Sequence, residues 1–338
     1  MFLYISILTF VFIFILLYNL SPSLNLIDKP NHRKIHLGNI PLIGGIIIYF
    51  NVLLFVYYLG TSYYFGVIFF TSAILVVLGA FDDAIELGVT FRLILQLISS
   101  LLIIGSGLVI INVGDYMFLP NIKIGILSTI FTVFCVIGLT NAFNFIDGAD
   151  GLCGGLFLVS IISLLFFSFF SNTYELIEDI EIIYILIISI VLFLILNVTD
   201  FYKIFLGDSG SMFLGFLMSW FLILYTQINQ IMHPVLALWC VTLPSFDIIS
   251  VIIRRLLRKK NPFKPDRRHI HHILLSIGMG KKFVTINILC IAIILNFIGF
   301  FTLKIAGPFP ALLTYLLFLF LYLIISIQLS RYALNKKN

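Results

Sequence analysis

The sequence predicts an all-α, polytopic integral membrane protein, and two observations carry that prediction. Of the 338 residues, 61% are hydrophobic and only 10% are charged, and the mean hydropathy is +1.17. About a quarter of the residues in soluble proteins are charged. The apolar residues also form unbroken runs of about 17 to 21 residues, the length that a helix needs to cross a bilayer. A transmembrane β-barrel would instead show alternating segments of about ten residues.

Eleven apolar runs are long enough to cross a membrane, and they predict a single integral membrane domain over residues 1–338. The first run has no basic residues before it and no small-residue cleavage site after it, so we interpret it as a transmembrane helix and not as a cleavable signal. The predicted spans cover residues 2–20, 42–59, 65–81, 92–111, 122–140, 153–171, 181–198, 212–228, 235–253, 283–303 and 310–330.

The basic residues predict the orientation of these spans. With eleven crossings, 18 of the 20 Lys and Arg residues fall on one face, and only Lys123 and Lys304 fall on the other. Because basic residues concentrate on the cytoplasmic side of membrane proteins, the N-terminus is predicted to be periplasmic and the C-terminus cytoplasmic.

Most acidic residues on the predicted cytoplasmic face fall into three short clusters at the ends of spans: FDDAIE (81–86), NAFNFIDGADG (141–151) and LGDSGS (206–211). Carboxylates are costly near a bilayer, so their grouping indicates a shared task such as holding a divalent cation or moving protons. A lone acid would be interpreted as a helix cap or a solvated loop residue. The grouping predicts an active site at the cytoplasmic face.

In the first cluster, Asp82 and Glu86 would lie on one face if the helix continued, and Asp83 would point away from them. Neighbouring carboxylates suit a general base or a Mg²⁺ ligand. Arg92 and Gln96 at the start of the next span could reach the same site, and Arg92 would suit a phosphate oxygen. The alternative is that the cluster is only a polar end to the helix.

In the second cluster, Asn141, Asn144, Asp147 and Asp150 recur every three residues, a spacing that places them on one side of a helical turn. Their oxygens are the hard ligands that Mg²⁺ prefers, although the same residue types also build ordinary turns. In the third cluster, Asp208 could bind a cation or cap the following helix. The glycine pattern there lacks the lysine of a Walker A loop.

Two basic cytoplasmic segments complete the pattern. The basic loop at 254–282 contains Arg268, His269, His271 and His272. These residues could bind pyrophosphate or sugar oxygens, or they could bind zinc. With the basic residues before them, they could instead anchor anionic lipids. The first loop carries three residues that could hold a lipid phosphate or set topology: Arg33, Lys34 and His36. Asp247 lies within the ninth span, and the sequence leaves open whether it pairs with a basic residue or faces the active site.

The chain resembles the polyprenyl-phosphate N-acetylhexosamine-1-phosphate transferase family. DKPNHRKIH, PLIGG, FDDAIE, NAFNFIDGADGL, GDSGS, HPVLALW and PFKPDRRHIHH occur in the order found in that family. The resemblance covers almost the whole chain and is nearest to the branch that begins O-antigen and related envelope polysaccharides. It implies transfer of N-acetylglucosamine-1-phosphate from UDP-N-acetylglucosamine to undecaprenyl phosphate, with release of UMP.

The resemblance also implies partners and roles. It implies a requirement for Mg²⁺ (with Mn²⁺ as a substitute), a place in the bacterial inner membrane, lipid and UDP-sugar partners but no nucleic acid, and a homodimer. Asn144 and Asp208 match the metal ligands, and Asp82 matches the proposed base, with Asp83 beside it. The positions matched to substrate are Arg92, Asp147, Asp150, Arg268, His269, His271 and His272. Glu86 departs from the pattern of many relatives, so its role stays open.

Two alternatives remain at this point. Relatives with similar histidine loops use other UDP-N-acetylhexosamines, such as the FucNAc or QuiNAc derivatives. An ion-coupled transporter would also bury acids in a membrane protein, but transporters place them near the bilayer midplane in repeated halves. The acids of this chain lie at span ends, without a visible internal repeat.

Overall fold

A computed structural model describes residues 2–29, 38–117, 122–171, 173, 177–259 and 269–335. Four residues with predicted roles lie outside these ranges: Arg33, Lys34, His36 and Arg268. The described residues are almost entirely helical, as the composition predicted.

The described part of the chain forms thirteen α-helices and one two-stranded sheet. The strands are β1 (Ile27–Asp28) and β2 (Ile40–Pro41), which pair antiparallel. The helices are α1 (Phe2–Leu20), α2 (Gly44–Leu59), α3 (Tyr63–Ile85), α4 (Val89–Gly105), α5 (Ser128–Ile146), α6 (Leu152–Phe170), α7 (Ile180–Val198), α8 (Gly207–Ile223), α9 (Pro234–Cys240), α10 (Thr242–Leu257), α11 (Ile270–Ser276), α12 (Lys281–Ala306) and α13 (Pro308–Asn335).

Ten of the eleven predicted spans each overlap one of these helices, and the ninth overlaps two, α9 and α10. Within the described residues, eight helices are long and apolar enough to cross a membrane, and the number is nine if the bent pair α9–α10 is one span. Two further apolar helices, α2 and α4, are shorter. The chain is therefore a multi-pass helical membrane protein, while the count of eleven crossings stays a prediction.

The ninth predicted span is the one whose shape differs most from a straight helix. It is broken between α9 and α10, which meet at 80°. Pro244 explains the break: it has no N–H to donate to the Cys240 carbonyl four residues earlier, and its ring would clash with that carbonyl in a continuous helix. The chain ends α9 at Cys240 and restarts at Thr242.

Three helix boundaries differ from the sequence prediction in ways that place the acidic clusters. Helix α5 continues to Ile146, so Asn141 and Asn144 belong to its last turns. Helix α8 begins at Gly207, so Asp208 lies in its first turn and not before it. Helix α3 ends at Ile85, and Glu86 is left-handed with φ +50°. The expected helical stacking of Asp82 on Glu86 is therefore not formed.

The chain divides into two compact units. The first comprises residues 1–109, 132–147 and 177–221. Its core is built around α8, where Phe213, Phe216 and Trp220 are fully buried. Tyr49 of α2 stacks on Phe69 of α3 with ring centroids 4.9 Å apart. The ring of Tyr49 also meets that of Phe213 edge-on (centroids 5.5 Å apart), so these contacts hold α2, α3 and α8 together.

The second unit comprises residues 110–131, 148–176 and 222–338. Its core contains Trp239 of α9, Phe246 of α10 and Tyr315 of α13. The ring centroid of Tyr315 lies 5.4 Å from that of Trp239 and 5.0 Å from that of Phe246. Helix α12 packs on α6 and α13 in the same unit. This unit carries the histidine segment.

Candidate active site

The first turn of α8 is the centre around which the acidic clusters of the first unit meet. Main-chain hydrogen bonds from α2 hold the residues that lead into this turn. The Gly45 N–H donates to the Leu206 carbonyl (3.0 Å), and the Gly44 N–H donates to the Phe205 carbonyl (2.9 Å). Helix α3 also comes so close that a Cβ on Gly79 would collide with the backbone of Ser209. Small residues permit this backbone approach between membrane helices.

Asp83 caps this turn from a neighbouring helix. Its Oδ1 accepts a hydrogen bond from the Asp208 N–H (3.0 Å), and its Oδ2 accepts a longer one from the Ser209 N–H (3.4 Å). The first N–H groups of a helix have no partner within the helix and carry partial positive charge, so a carboxylate there is stabilising. Asp83 therefore ties α3 to the start of α8.

Asp82 is buried, and both of its carboxylate oxygens have partners. Its Oδ2 lies 2.6 Å from Nη1 of Arg92, and its Oδ1 accepts the Leu87 N–H at 2.6 Å. The same Arg92 Nη1 is 3.8 Å from Oδ2 of Asp208. The side chain of Asp82 is 4% exposed, that of Arg92 23% and that of Asp208 36%. Asp208 is thus the most accessible of the three charged groups.

Asn144 joins the second cluster to the third. Its Nδ2 donates to Oδ1 of Asp208 (2.7 Å) and to Oγ of Ser211 (3.0 Å). One turn earlier, Asn141 Nδ2 donates to Oε1 of Gln96 in α4 (2.7 Å). The regular spacing of the two asparagines therefore places both on one side of α5, as the sequence predicted, whereas Asp147 and Asp150, predicted to share that helical turn, follow the end of α5 at Ile146.

Asp147 follows the end of α5 and lies close enough to Asp83 for their charges to interact. The first unit therefore gathers five of the residues with predicted roles around the start of α8, with Asp147 beside them: Asp82, Asp83, Arg92, Asn144 and Asp208. The arrangement offers several hard oxygens that suit a divalent cation and one guanidinium that suits a phosphate oxygen, while the N-terminus of α8 is already capped by Asp83.

The histidine segment belongs to the second unit. His269 Nδ1 lies 2.7 Å from Oδ2 of Asp247, and both side chains are buried. His271 is fully buried against Gly148, where a Cβ would collide with the ring, and its centroid is 4.0 Å from that of His272. Asp150, in the same unit, accepts a hydrogen bond on its main-chain carbonyl from Thr285 Oγ1 (3.1 Å).

His271 is neutral at physiological pH. Its burial, together with the neighbouring His272, lowers the pKa of its ring to about 3. Neither ring nitrogen has a hydrogen-bond partner among the described residues. A neutral imidazole in such a place can donate or accept a hydrogen bond but does not act as a fixed cation.

The fit of a metal ion can be judged from the donor set. Within the described residues, no three His, Cys, Asp or Glu side chains converge closely enough to enclose a metal. The side chains of Asn144 and Asp208 nevertheless meet, with Nδ2 of Asn144 2.7 Å from Oδ1 of Asp208. Mg²⁺ needs only one or two protein ligands when substrate phosphates supply the rest. The residues therefore fit Mg²⁺ bound together with substrate, with the Asn144 amide turned so that its oxygen faces the ion.

Two contacts were not anticipated from the sequence. Ser211, which accepts from Asn144, lies in GDSGS one helical turn after Gly207, and its position in that motif was the available signal. Tyr322 of α13 donates its hydroxyl to Oδ1 of Asp247 (3.1 Å). Nothing in the sequence around Tyr322 distinguishes it from the other aromatic residues of α13.

The fold and this arrangement define a class of membrane-embedded transferase, and the comparisons with known proteins agree. The model of glycosyl transferase family 4 matches residues 65–226, which include all three acidic clusters. The chain belongs to this family.

Similar proteins extend the likeness beyond that range. The chain is 34% identical to the undecaprenyl-phosphate alpha-N-acetylglucosaminyl 1-phosphate transferase of Haemophilus influenzae, over 81% of this chain and 79% of the relative. It is 36% identical to the protein of that name from Pasteurella multocida, over 78% and 75%. With the Salmonella typhi protein it shares 32% identity over 87% and 82%. These relatives confirm the resemblance inferred from the motifs.

Proposed function

We propose that this protein transfers N-acetylglucosamine-1-phosphate from UDP-N-acetylglucosamine to undecaprenyl phosphate, forming undecaprenyl-pyrophosphoryl-N-acetylglucosamine and UMP. The observation that carries the proposal is the meeting of three acids and Asn144 at the start of α8, in the region matched by the family. The names of the relatives supply the donor and acceptor. The product would initiate O-antigen or a related envelope polysaccharide.

The proposed reaction is a single displacement. An oxygen of the lipid phosphate attacks the β-phosphorus of the UDP-sugar, the bond from that phosphorus to the bridging oxygen breaks, and UMP leaves with that oxygen. Such transfers depend on positioning and charge neutralisation more than on covalent help from the protein. Mg²⁺, or Mn²⁺ in its place, would be held by Asn144 and Asp208 and would supply charge neutralisation.

The remaining residues are assigned by contact and charge. Arg92 is proposed to bind a phosphate oxygen, with Asp82 holding its guanidinium in place. Asp82 remains the proposed base for the lipid phosphate, with Asp83 beside it, and Asp147 is proposed to face the nucleotide. In the second unit, Asp150 and the histidine segment are proposed to recognise the donor. We propose that these groups act at the cytoplasmic face of the bacterial inner membrane.

The test is a reconstitution with purified protein, Mg²⁺, UDP-N-acetylglucosamine and undecaprenyl phosphate. We expect release of UMP and the lipid-linked sugar, and chelation of the metal should abolish both. A panel of UDP-N-acetylhexosamines, including the FucNAc and QuiNAc derivatives, identifies the donor. Absence of UMP with every donor, together with cation-driven uptake into vesicles, would overturn the proposal in favour of a transporter.

Asp208 provides the sharpest single-residue test of metal binding. We expect Asp208→Ala to lower UMP release by a hundredfold or more at every Mg²⁺ concentration, on the order of what one charge-stabilising group contributes to catalysis. Full recovery of UMP release at high Mg²⁺ would contradict the assignment of Asp208 as an essential ligand. Size-exclusion chromatography in detergent checks that the variant is folded.

A further inference from the structure

Gln96 is a buried amide in an apolar helix, and the proposed reaction gives it no role. It lies in α4 with 1% of its surface exposed. Its Oε1 accepts a hydrogen bond from Asn141 Nδ2 in α5 (2.7 Å), and its Nε2 lies 3.5 Å from Met212 Sδ in α8. Sulfur is a weak acceptor, and a buried amide with a poor partner costs free energy. An apolar side chain would avoid this cost, so stability alone does not explain the glutamine.

Gln96 and its two partners form a layer one helical turn below the candidate active site. Residues three or four apart in a helix lie on the same face, one above the other. Each member of the layer is related in this way to a residue of the site on its own helix. The three pairs are Arg92 with Gln96 in α4, Asn144 with Asn141 in α5, and Asp208 with Met212 in α8. The layer therefore joins the same three helices that carry the guanidinium and the proposed metal ligands.

The two layers differ in which helices they join. In the site, Arg92 of α4 and Asn144 of α5 both contact Asp208 of α8, at 3.8 Å and 2.7 Å. One turn deeper, the hydrogen bond between Gln96 and Asn141 joins α4 directly to α5. This bond sets the separation of the two helices that bring Arg92 and Asn144 to Asp208.

That separation matters for a ligand with two phosphate groups. A guanidinium and a metal ion that hold one pyrophosphate must be spaced to match its oxygens. A misplacement of about 1 Å can lower a rate about a hundredfold, even when the change lies away from the chemistry. Gln96 is too deeply buried to touch a substrate itself. Its effect must pass through Asn141 and the helices.

We propose that Gln96 is a positioning residue: it holds α4 to α5 at the separation at which Arg92 and a Mg²⁺ ion on the metal ligands bind the same pyrophosphate. The inference rests on the proposed function, from which Arg92, Asn144 and Asp208 take their roles. The sequence suggested that Gln96 could reach the site, and on this proposal it acts there through Asn141.

Two matched variants separate positioning from a general loosening of the helices. Gln96→Leu removes the amide and keeps a side chain of similar size. Asn51→Leu is the control, because Asn51 is also a buried amide of the first unit. Its Nδ2 donates to Ser189 Oγ (2.8 Å) and to Ser6 Oγ (3.1 Å), so it joins α2 to α7 and α1. None of these three helices carries a side chain of the candidate site.

The readout is the effect of Mg²⁺ on the affinity for UDP. UDP carries the pyrophosphate of the donor and does not react when no lipid acceptor is present. Calorimetric titrations of the purified full-length protein with UDP, in Mg²⁺ and in EDTA, give two Kd values. Their ratio measures the coupling between metal and ligand. Unfolded protein lowers the number of binding sites and leaves this ratio unchanged.

We expect Gln96→Leu to reduce the gain in UDP affinity from Mg²⁺ about tenfold, within the usual range of coupling between two ligands. The reason is that a wrongly spaced pyrophosphate can meet Arg92 or the metal but not both. UMP release should fall about a hundredfold, as expected for a misplaced group. Asn51→Leu should keep the wild-type ratio of Kd values and the wild-type UMP release per folded molecule.

An exchange of the two amides tests the hydrogen bond itself. Gln96→Asn makes the link to Asn141 one methylene too short. Adding Asn141→Gln restores the length with the two residue types exchanged. We expect the single variant to behave like Gln96→Leu and the double variant to recover most of the coupling and of the UMP release. If Gln96→Leu does not fold, this pair of variants decides alone.

An unchanged ratio in folded Gln96→Leu would overturn the inference, and so would an equal fall in Asn51→Leu. A double variant as poor as Gln96→Asn would overturn it too, because the length of the link would then not be what matters. Failure of the proposed function is a different result: the wild-type protein then releases no UMP with any donor, while the UDP titrations still report on Gln96.

Discussion

Asp83 makes an observed helix cap and has a proposed catalytic role, and a single substitution can separate the two. Its carboxylate caps the first turn of α8 through the N–H groups of Asp208 and Ser209, and it stands beside the proposed base. Asparagine caps helices nearly as well as aspartate, whereas alanine cannot. The cap therefore depends on an oxygen acceptor, and any catalytic role depends on the charge.

We expect Asp83→Ala to lower the free energy of unfolding by about 1 kcal/mol, and Asp83→Asn to preserve it. Both should lower UMP release on the order of a hundredfold, the range for loss of an acid–base group. Thermal unfolding in detergent and the UMP assay measure the two effects. Glu86→Gln, an exposed change in the same motif, is the control. Full activity in Asp83→Asn would leave Asp83 as a cap alone.

His271 is expected to make the stability of the second unit depend on pH. Its folded pKa is about 3, lowered by burial and by His272, whereas an unfolded histidine titrates near pH 6.5. Below about pH 6.5 the unfolded chain therefore binds a proton that the folded chain does not. The neutral ring therefore makes its full contribution to the free energy of unfolding above that pH. This contribution is lost as the pH falls from about 6.5 toward 3.

We expect the free energy of unfolding to fall by up to about 2 kcal/mol between pH 7 and pH 5 through this residue. Chemical denaturation at each pH measures the slope. His271→Leu keeps an apolar side chain in the buried position and should remove this part of the pH dependence. Identical slopes for wild type and variant would contradict the assignment.

At the scale of elements, the close approach of α3 to α8 determines where the acids meet. Gly79 lies against the backbone of Ser209, so a side chain there would push α3 and the start of α8 apart. Asp83 is four residues further along α3, and its contacts with α8 depend on the same spacing. The geometry of the site is therefore a property of helix packing.

We expect Gly79→Ala to destabilise the protein by about 2 kcal/mol, within the range for overpacking, and to lower UMP release. Gly88→Ala is the matched control, because it lies between the Asp82 motif and Arg92 with nothing described within 4 Å of its would-be Cβ. Thermal unfolding and UMP release compare the two. Equal behaviour of both variants would contradict the packing argument.

The ends of the helices do not coincide with the ends of the apolar runs. The apolar runs located the helices because hydrophobicity determines what enters a membrane. They placed the start of α8 at residue 212, whereas it begins at Gly207. The polar residues of GDSGS form a helical turn because Asp83 satisfies its N–H groups. An isolated sequence window does not contain that partner.

At the scale of the whole molecule, the distribution of charge predicts a topology. Eleven crossings would place the N-terminus in the periplasm and the C-terminus in the cytoplasm, with the basic loop at 254–282 also cytoplasmic. The active-site acids would then face the compartment that contains nucleotide sugars.

We expect alkaline phosphatase to be active when fused after residue 178 and inactive when fused after residue 259. A fluorescent protein at the C-terminus should be bright, since it folds in the cytoplasm. The two phosphatase fusions serve as controls for each other. An active phosphatase after residue 259 would contradict the predicted orientation and the proposed cytoplasmic active site.

The sequence by itself determined the class of fold and the approximate position of each long apolar helix, because composition and hydropathy encode them, and its motifs supplied the residues that are proposed to carry the chemistry. Only the tertiary structure decided the partners: Asp83 with the start of α8, Asp82 with Arg92 and Asp247 with His269. Asp83 and Asp208 are 125 residues apart in the chain. Such contacts depend on which helices pack together and how closely, and that is a property of the folded molecule and not of any local pattern.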